Sequence, residues 1–146
     1  MRTDDFKKLL DACFVARRIA GTLQKLPDGL KPCHLRALDT VHDVLERRGV
    51  CRVSDVSARF QITMPSVTKL VQELESLGLL EKRPDSTDKR AVLLGLTPAG
   101  ESCLERYVLT FHEKWAAAMG DISGEQAEEA LRLFSRLEET IPRERR

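Results

Sequence analysis

The segment TMPSVTKLVQELESLG, Thr63 to Gly78, reads as an amphipathic helix whose own residues mark both of its ends. Val67, Leu70, Val71, Leu74 and Leu77 recur at steps of three and four, one apolar stripe of a 3.6-residue period. Thr63 suits the N-cap, where its hydroxyl accepts from backbone N–H groups that have no partner inside the helix. Pro65 falls in the first turn, where a missing N–H costs nothing. Gly78 suits the left-handed residue that stops a helix. Opposite the stripe lie Pro65, Ser66, Thr68, Lys69 and Gln72, a short and mostly uncharged polar face. Such a face is either plain solvated surface or a surface that enters the DNA major groove, where Thr, Lys and Gln pair with base edges.

The flanking segments favour the second reading. Val50 to Val53 suggests a small strand, and Ser54 suggests the N-cap of a brief helix, SDVSARF, that buries Val56 and Phe60. A turn of about three residues, Gln61 to Thr63, follows. Short helix, tight turn and longer helix with a polar outer face form a helix-turn-helix. After Gly78, LLEKRP and AVLLGL read as two strands around the polar tip DSTDKR. A hairpin placed there is a wing, and Lys82, Arg83, Lys89 and Arg90 give it cations for backbone phosphates or the minor groove.

Outside this region the pattern is helical. One helix runs from Asp4 to about Leu26, capped by Thr3, with Phe6, Leu9, Leu10, Cys13, Phe14, Ala20 and Leu23 along one side. Its stripe needs covering by the chain's other end or by a second subunit. Pro27, Asp28, Gly29 and Pro32 make a turn, and a second helix runs from Pro32 to Gly49. Thr97-Pro98 opens a helix that continues to Met119, with Leu104, Tyr107, Val108, Phe111 and Trp115 inward. Ser123 to Gln126 has the form of a capping box for a last helix that buries Ala127, Ala130, Leu131, Phe134, Leu137 and Ile141. The tail PRERR is expected to fray.

The whole is mainly α with a small β wing. At 146 residues it is expected to be a single domain. A net charge of +1 excludes bulk basicity, so any nucleic-acid surface is local. No apolar run reaches the ~18 residues of a membrane span, and the start lacks a signal pattern, so no membrane partner and a cytoplasmic location are expected. Cys13, Cys33, Cys51 and Cys103 are scattered, which points to reduced thiols rather than disulfides. No nucleophile–base motif or phosphate loop appears, and neither enzymatic activity nor a cofactor is expected.

RPDSTDKRAVLLGLTPAG (83–100) and VTKLVQELESLGLLEKR resemble the MarR family of bacterial transcription regulators. The likeness spans most of the chain. It rests on an Arg-Pro-Asp entry, Asp88 and Arg90 as an Asp-x-Arg pair, and Leu96, Thr97 and Gly100 in a Leu-Thr-x-x-Gly ending. It implies a homodimer straddling a palindromic operator in double-stranded DNA. Segments 1–30 and 98–146 would be the dimerisation helices, and 31–97 the winged helix-turn-helix. Arg90 would enter the minor groove while Asp88 holds its guanidinium, and Ser66, Thr68, Lys69 and Gln72 would meet bases. The family theme is a repressor released by a small aromatic or anionic effector, with Leu10, Cys13, Phe14, Arg17, His34, Leu38 and Phe111 as pocket candidates. Plain core packing is the alternative for each of these residues.

Three positions depart from the family pattern: Gln61 where glycine is common, Pro65 on the groove-facing turn, and Glu73 where a basic or neutral residue is common. With Lys69 against Glu73 and Glu75, the recognition helix carries a net charge of −1, so modest affinity with a shallow salt dependence is expected. An acidic recognition helix also suits a winged-helix protein–protein interaction module. Cys13 resembles a peroxide-sensing cysteine of one branch, which gives a redox-sensing regulator as a further alternative to an inert thiol. Zinc sensing occurs in the family, and His34, His42 and His112 bring it to mind. The usual histidine pair is missing, however, and capping or surface roles fit better, so no metal is expected.

Overall fold

The computed structural model describes residues 1–141, and the expected fraying of PRERR (142–146) lies outside them. Helix α1 (Thr3–Thr22) is followed by α2 (Pro32–Arg48), α3 (Val53–Phe60) and α4 (Met64–Ser76). Strands β1 (Leu80–Pro84) and β2 (Val92–Leu96) pair antiparallel, with Leu80 opposite Leu96 and Pro84 opposite Val92. Then come α5 (Pro98–Leu104), a π-helical turn (Glu105–Leu109) and α6 (Thr110–Ala118), which run on as one rod, and finally α7 (Gly124–Thr140). The architecture is thus mainly helical with a two-stranded wing, as the pattern predicts.

The core sits in the middle of the chain. Leu38 and Val41 of α2, Val56 of α3, Val67, Val71 and Leu74 of α4, Leu80 and Leu94 of the wing, and Leu104 of α5 are all buried together. Val56, Val67, Val71, Leu74 and Leu104 among them are positions that the sequence pattern assigns inward. Thr63 caps α4 as expected, its hydroxyl accepting from the Ser66 N–H at 3.4 Å. Gly78, at φ +72, turns the chain from α4 into the wing. Thr97 ties this exit to the next helix, donating to the Gly78 carbonyl at 2.6 Å and accepting from the Gly100 N–H at 3.0 Å. A Cβ on Gly100 would collide with the Leu79 carbonyl oxygen, so only glycine fits where α5 crosses the wing.

Several boundaries differ from expectation. Helix α1 stops at Thr22, not Leu26, because Thr22 donates to the Arg18 and Ile19 carbonyls while the residues ahead of Pro27 are biased away from helix. Its cap is Arg2, whose carbonyl accepts from Asp5 and Phe6, and Thr3 is the first helical residue. Helix α3 begins at Val53 with Arg52 as cap, since Asp55 accepts from the Arg52 N–H at 2.8 Å and leaves Ser54 inside. The strand expected at 50–53 shrinks to a bridge between Arg52 and Leu93.

The largest difference lies in the outer helices. In the single chain, α1, α6 and α7 contain no buried residue. Leu131 is 69% exposed, and Trp115, Phe134 and Ile141 are exposed as well, against the expectation that they face inward. Phe6 and Leu9 do meet the chain's other end, across a cavity lined also by Leu133, Leu137 and Ile141. The helices stand beside the winged core rather than over it. None of the helices among the described residues is long and apolar enough to cross a membrane.

Candidate nucleic-acid interface

Helix α4 buries Val67, Leu70, Val71 and Leu74, and that fixes which side faces out. Ser66, Thr68, Lys69 and Gln72 are all exposed on the outer side. The two hydroxyls are held locally. Ser66 Oγ shares a 2.9 Å hydrogen bond with Thr63 Oγ1, and Thr68 donates to the Met64 carbonyl at 2.9 Å. Each oxygen keeps acceptor capacity toward a base or phosphate. Lys69 and Gln72 extend further, and a long donor beside an amide suits the edges of guanine and adenine.

Both acids of the helix are engaged by neighbouring elements. Glu75 pairs with Lys82 of β1 at 3.4 Å. Glu73 turns toward α2, where its Oε2 lies 2.7 Å from His34 Nε2 and 4.0 Å from Lys31 Nζ. The hydrogen bond from His34 is the main reason its carboxyl sits below the usual range. The helix's formal charge of −1 is therefore offset by cations and a donor on either side, away from Lys69 and Gln72.

The tight turn before α4 is made by Gln61 in the left-handed conformation, φ 54 and ψ 40. That is the strained geometry expected of a position that favours glycine. Ser57 braces the turn by donating to the Ile62 carbonyl at 2.7 Å.

The wing is anchored at its base by a pair that the sequence did not announce. Arg52, at the cap of α3, reaches Asp85 Oδ2 with Nε at 3.2 Å and Nη2 at 2.8 Å. The other oxygen, Oδ1, accepts from the Thr87 N–H at 3.0 Å and the Thr87 hydroxyl at 2.8 Å. Asp85 is buried, and these donors, the Thr87 backbone first, lower its pKa to about 2. The motif Arg-Pro-Asp marks the residue, but nothing local links positions 52 and 85.

At the tip, Lys89 and Arg90 are exposed. Asp88 Oδ1 accepts from the Arg90 backbone N–H at 3.0 Å, so it shapes the turn that presents Arg90. The bond seen is thus to the Arg90 backbone, where a contact to its guanidinium was expected. Arg83, on β1, pairs with Glu81 on the same strand.

The effector candidates do not gather in one place. Leu38 is fully buried in the core, and His34 is enclosed at the α2–α4 junction. Leu10 and Cys13 are half-buried on α1. Phe14 is 61% exposed and, with Arg17, lines a shallow open depression. Only Phe111 of the set borders the cavity of about 250 Å³ between the end of α1, the start of α2 and the π turn. Leu23, Leu26, Leu35, Tyr107, Asp39 and His112 complete most of that lining. Burial pushes the Asp39 carboxyl up, with Asp43 adding to the effect. Gln24 closes one wall by donating to the Tyr107 carbonyl at 2.7 Å, inside the π turn.

Among the described residues no group of three or more His, Cys, Asp or Glu stands close enough to hold a metal ion. Burial raises the Cys51 thiol to about 11, which keeps it protonated at neutral pH.

Residues 28–91 match the model of the MarR family. Along nearly its whole length the chain is similar in structure to S. aureus MepR, solved as a DNA complex, at 18% identity over 97% of this chain and 100% of that one, with a TM-score of 0.65. Bordetella bronchiseptica BpsR, whose DNA binding is regulated by 6-hydroxynicotinic acid, is 24% identical over 92% of this chain and 98% of its own, with a TM-score of 0.61. A mutant MarR from E. coli, solved with operator DNA, is 15% identical over 90% and 96%, with a TM-score of 0.62. Residues 28–91, which span α2, the helix-turn-helix and most of the wing, are thus similar to the MarR family, and the chain as a whole shares the winged-helix fold of these solved structures.

Proposed function

We propose that the chain acts as a homodimer that binds a palindromic operator in double-stranded DNA, as a repressor released by a small aromatic or anionic effector. The observation that carries this reading is the exposed face of α4, where Ser66, Thr68, Lys69 and Gln72 stand beside a wing tipped by Lys89 and Arg90. Arg83 adds a phosphate contact from β1, and Asp88 sets the turn from which Arg90 reaches the minor groove.

Segments 1–30 and 98–146 serve as dimerisation helices around the DNA-binding region 31–97. Support comes from the apolar side chains that α1, α6 and α7 leave open in the single chain. The cavity of about 250 Å³ is the effector site that the geometry favours, since its apolar lining ends in the polar groups Gln24, Asp39 and His112. It lies against the start of α2, so a ligand there acts on the spacing of the two winged regions. The regulated DNA binding of BpsR supports the same logic.

The test is the affinity of Lys69→Ala and Arg90→Ala for operator DNA. Each is expected to lose roughly 1–3 kcal/mol of binding. Unchanged affinity in both variants would remove α4 and the wing from the interface.

A further inference from the structure

His34 makes contacts that a core histidine need not make. It stands in the first turn of α2, only 2% exposed, with both ring nitrogens engaged. Nδ1 accepts from the Lys31 backbone N–H at 3.0 Å. A ring nitrogen that accepts carries no proton, so the neutral ring holds its proton on Nε2 and donates it to Glu73 Oε2 at 2.7 Å. The bond spans 39 residues of sequence and joins the start of α2 to the middle of α4.

Glu73 follows Gln72 directly and lies one turn beyond Lys69, the two long side chains on the groove face. Its carboxylate is half-buried, and the bond is charge-assisted, which makes it stronger than a neutral one. The nearby Lys31 side chain is 64% exposed, with its ammonium 4.0 Å from the carboxylate, and contributes little by comparison. On the same turns of α2, Pro32, Leu35 and Arg36 border the effector cavity. Base-reading side chains must be held within about 0.5 Å and 10–20°. Apolar packing holds the buried stripe of α4, and the short hydrogen bond from a buried ring adds a directional restraint at the edge that carries Lys69 and Gln72.

We propose that His34 is a positioning residue for DNA recognition: through Glu73 it sets the rotation of α4, and so the register of Lys69 and Gln72 on the bases. The proposal rests on the DNA-binding reading above.

The test uses the full-length protein and two probes: a duplex that the wild type selects from a random-sequence pool, and a scrambled duplex of the same composition. His34→Leu and Glu73→Leu are expected to weaken binding to the selected duplex roughly tenfold or more, on the scale of a lost charge-assisted bond. Binding to the scrambled duplex, which reads only phosphates, should stay within about twofold, with the His34→Leu salt slope unchanged. His34→Gln, whose carbonyl accepts and whose amide donates, should restore most of the preference. Equal losses on both probes would mean that His34 only stabilises the fold, and an unchanged ratio would mean that α4 is set without it. Either result overturns the proposal. Should His34→Leu fail to fold by circular dichroism, the half-buried Glu73 variants decide the matter on the same two probes. If the wild type enriches no sequence, the DNA-binding reading fails first and this one with it.

Discussion

Gln61 carries the backbone strain of the tight turn between α3 and α4, with φ at 54. A non-glycine residue in that region costs about 1–2 kcal/mol, part of which a glycine forfeits through the freedom of its unfolded chain. Gln61→Gly is therefore expected to raise stability by roughly 0.5–1 kcal/mol, read as a higher melting temperature. Gly100→Ala should do the reverse and lose about 1–3 kcal/mol, because the new Cβ meets the backbone carbonyl of Leu79 and one of the two segments must move. Asp85 supplies a pH dependence of definite sign. Its folded pKa, about 2, lies below the ordinary carboxylate value near 4. Its contribution is complete above that ordinary value and is lost as pH falls through about 2. The gap in melting temperature between wild type and Asp85→Asn should be widest from pH 5 to 7 and close near pH 2. A gap that is flat across this range would contradict the hydrogen bonds assigned to Asp85.

At the scale of the element, the local signals were legible. Thr63, Thr97 and Ser123 each cap the helix that the sequence assigns to them, and each accepts from the backbone N–H three residues on. Thr63→Ala is expected to cost about 0.5–2 kcal/mol and to loosen the start of the recognition helix, measurable by hydrogen exchange in its first turn. Periodicity also located the core stripe and the hairpin. What it did not show were the ties between elements. Arg52 with Asp85, and His34 with Glu73, join positions 33 and 39 residues apart, and a hydrophobic pattern gives a helix's buried side without saying which neighbour meets its edge. For the same reason Glu73 looked like an acid facing DNA, when packing turns it toward α2. The effector candidates on α1, which the family resemblance supplied, stand apart from the cavity at that helix's far end, against Leu35 and Tyr107.

At the scale of the whole molecule, the expected burial of α7 is the instructive miss. Leu131, Phe134 and Ile141 are apolar at helical spacing, and a stripe of that kind requires a cover without saying whose. The winged core fills its own interior with residues from Leu35 to Val108, which leaves the outer helices uncovered in the single chain, and the proposed dimer would cover them with a second copy. A charge on that surface, as in Leu131→Glu, is expected to shift the protein toward monomers in sedimentation and to weaken DNA binding with it, since each monomer carries one recognition helix and one wing. Two-fold pairing has a geometric consequence that the DNA itself records. Two symmetric recognition helices read two half-sites about one helical turn apart, centre to centre. The measurement that bears most directly on a symmetric pair of wings and recognition helices is selection of duplexes from a random pool by the full-length protein, followed by sequencing. The expected result is an inverted repeat whose binding falls when five base pairs are inserted between its halves. A single asymmetric site, or no enrichment at low salt, would contradict it.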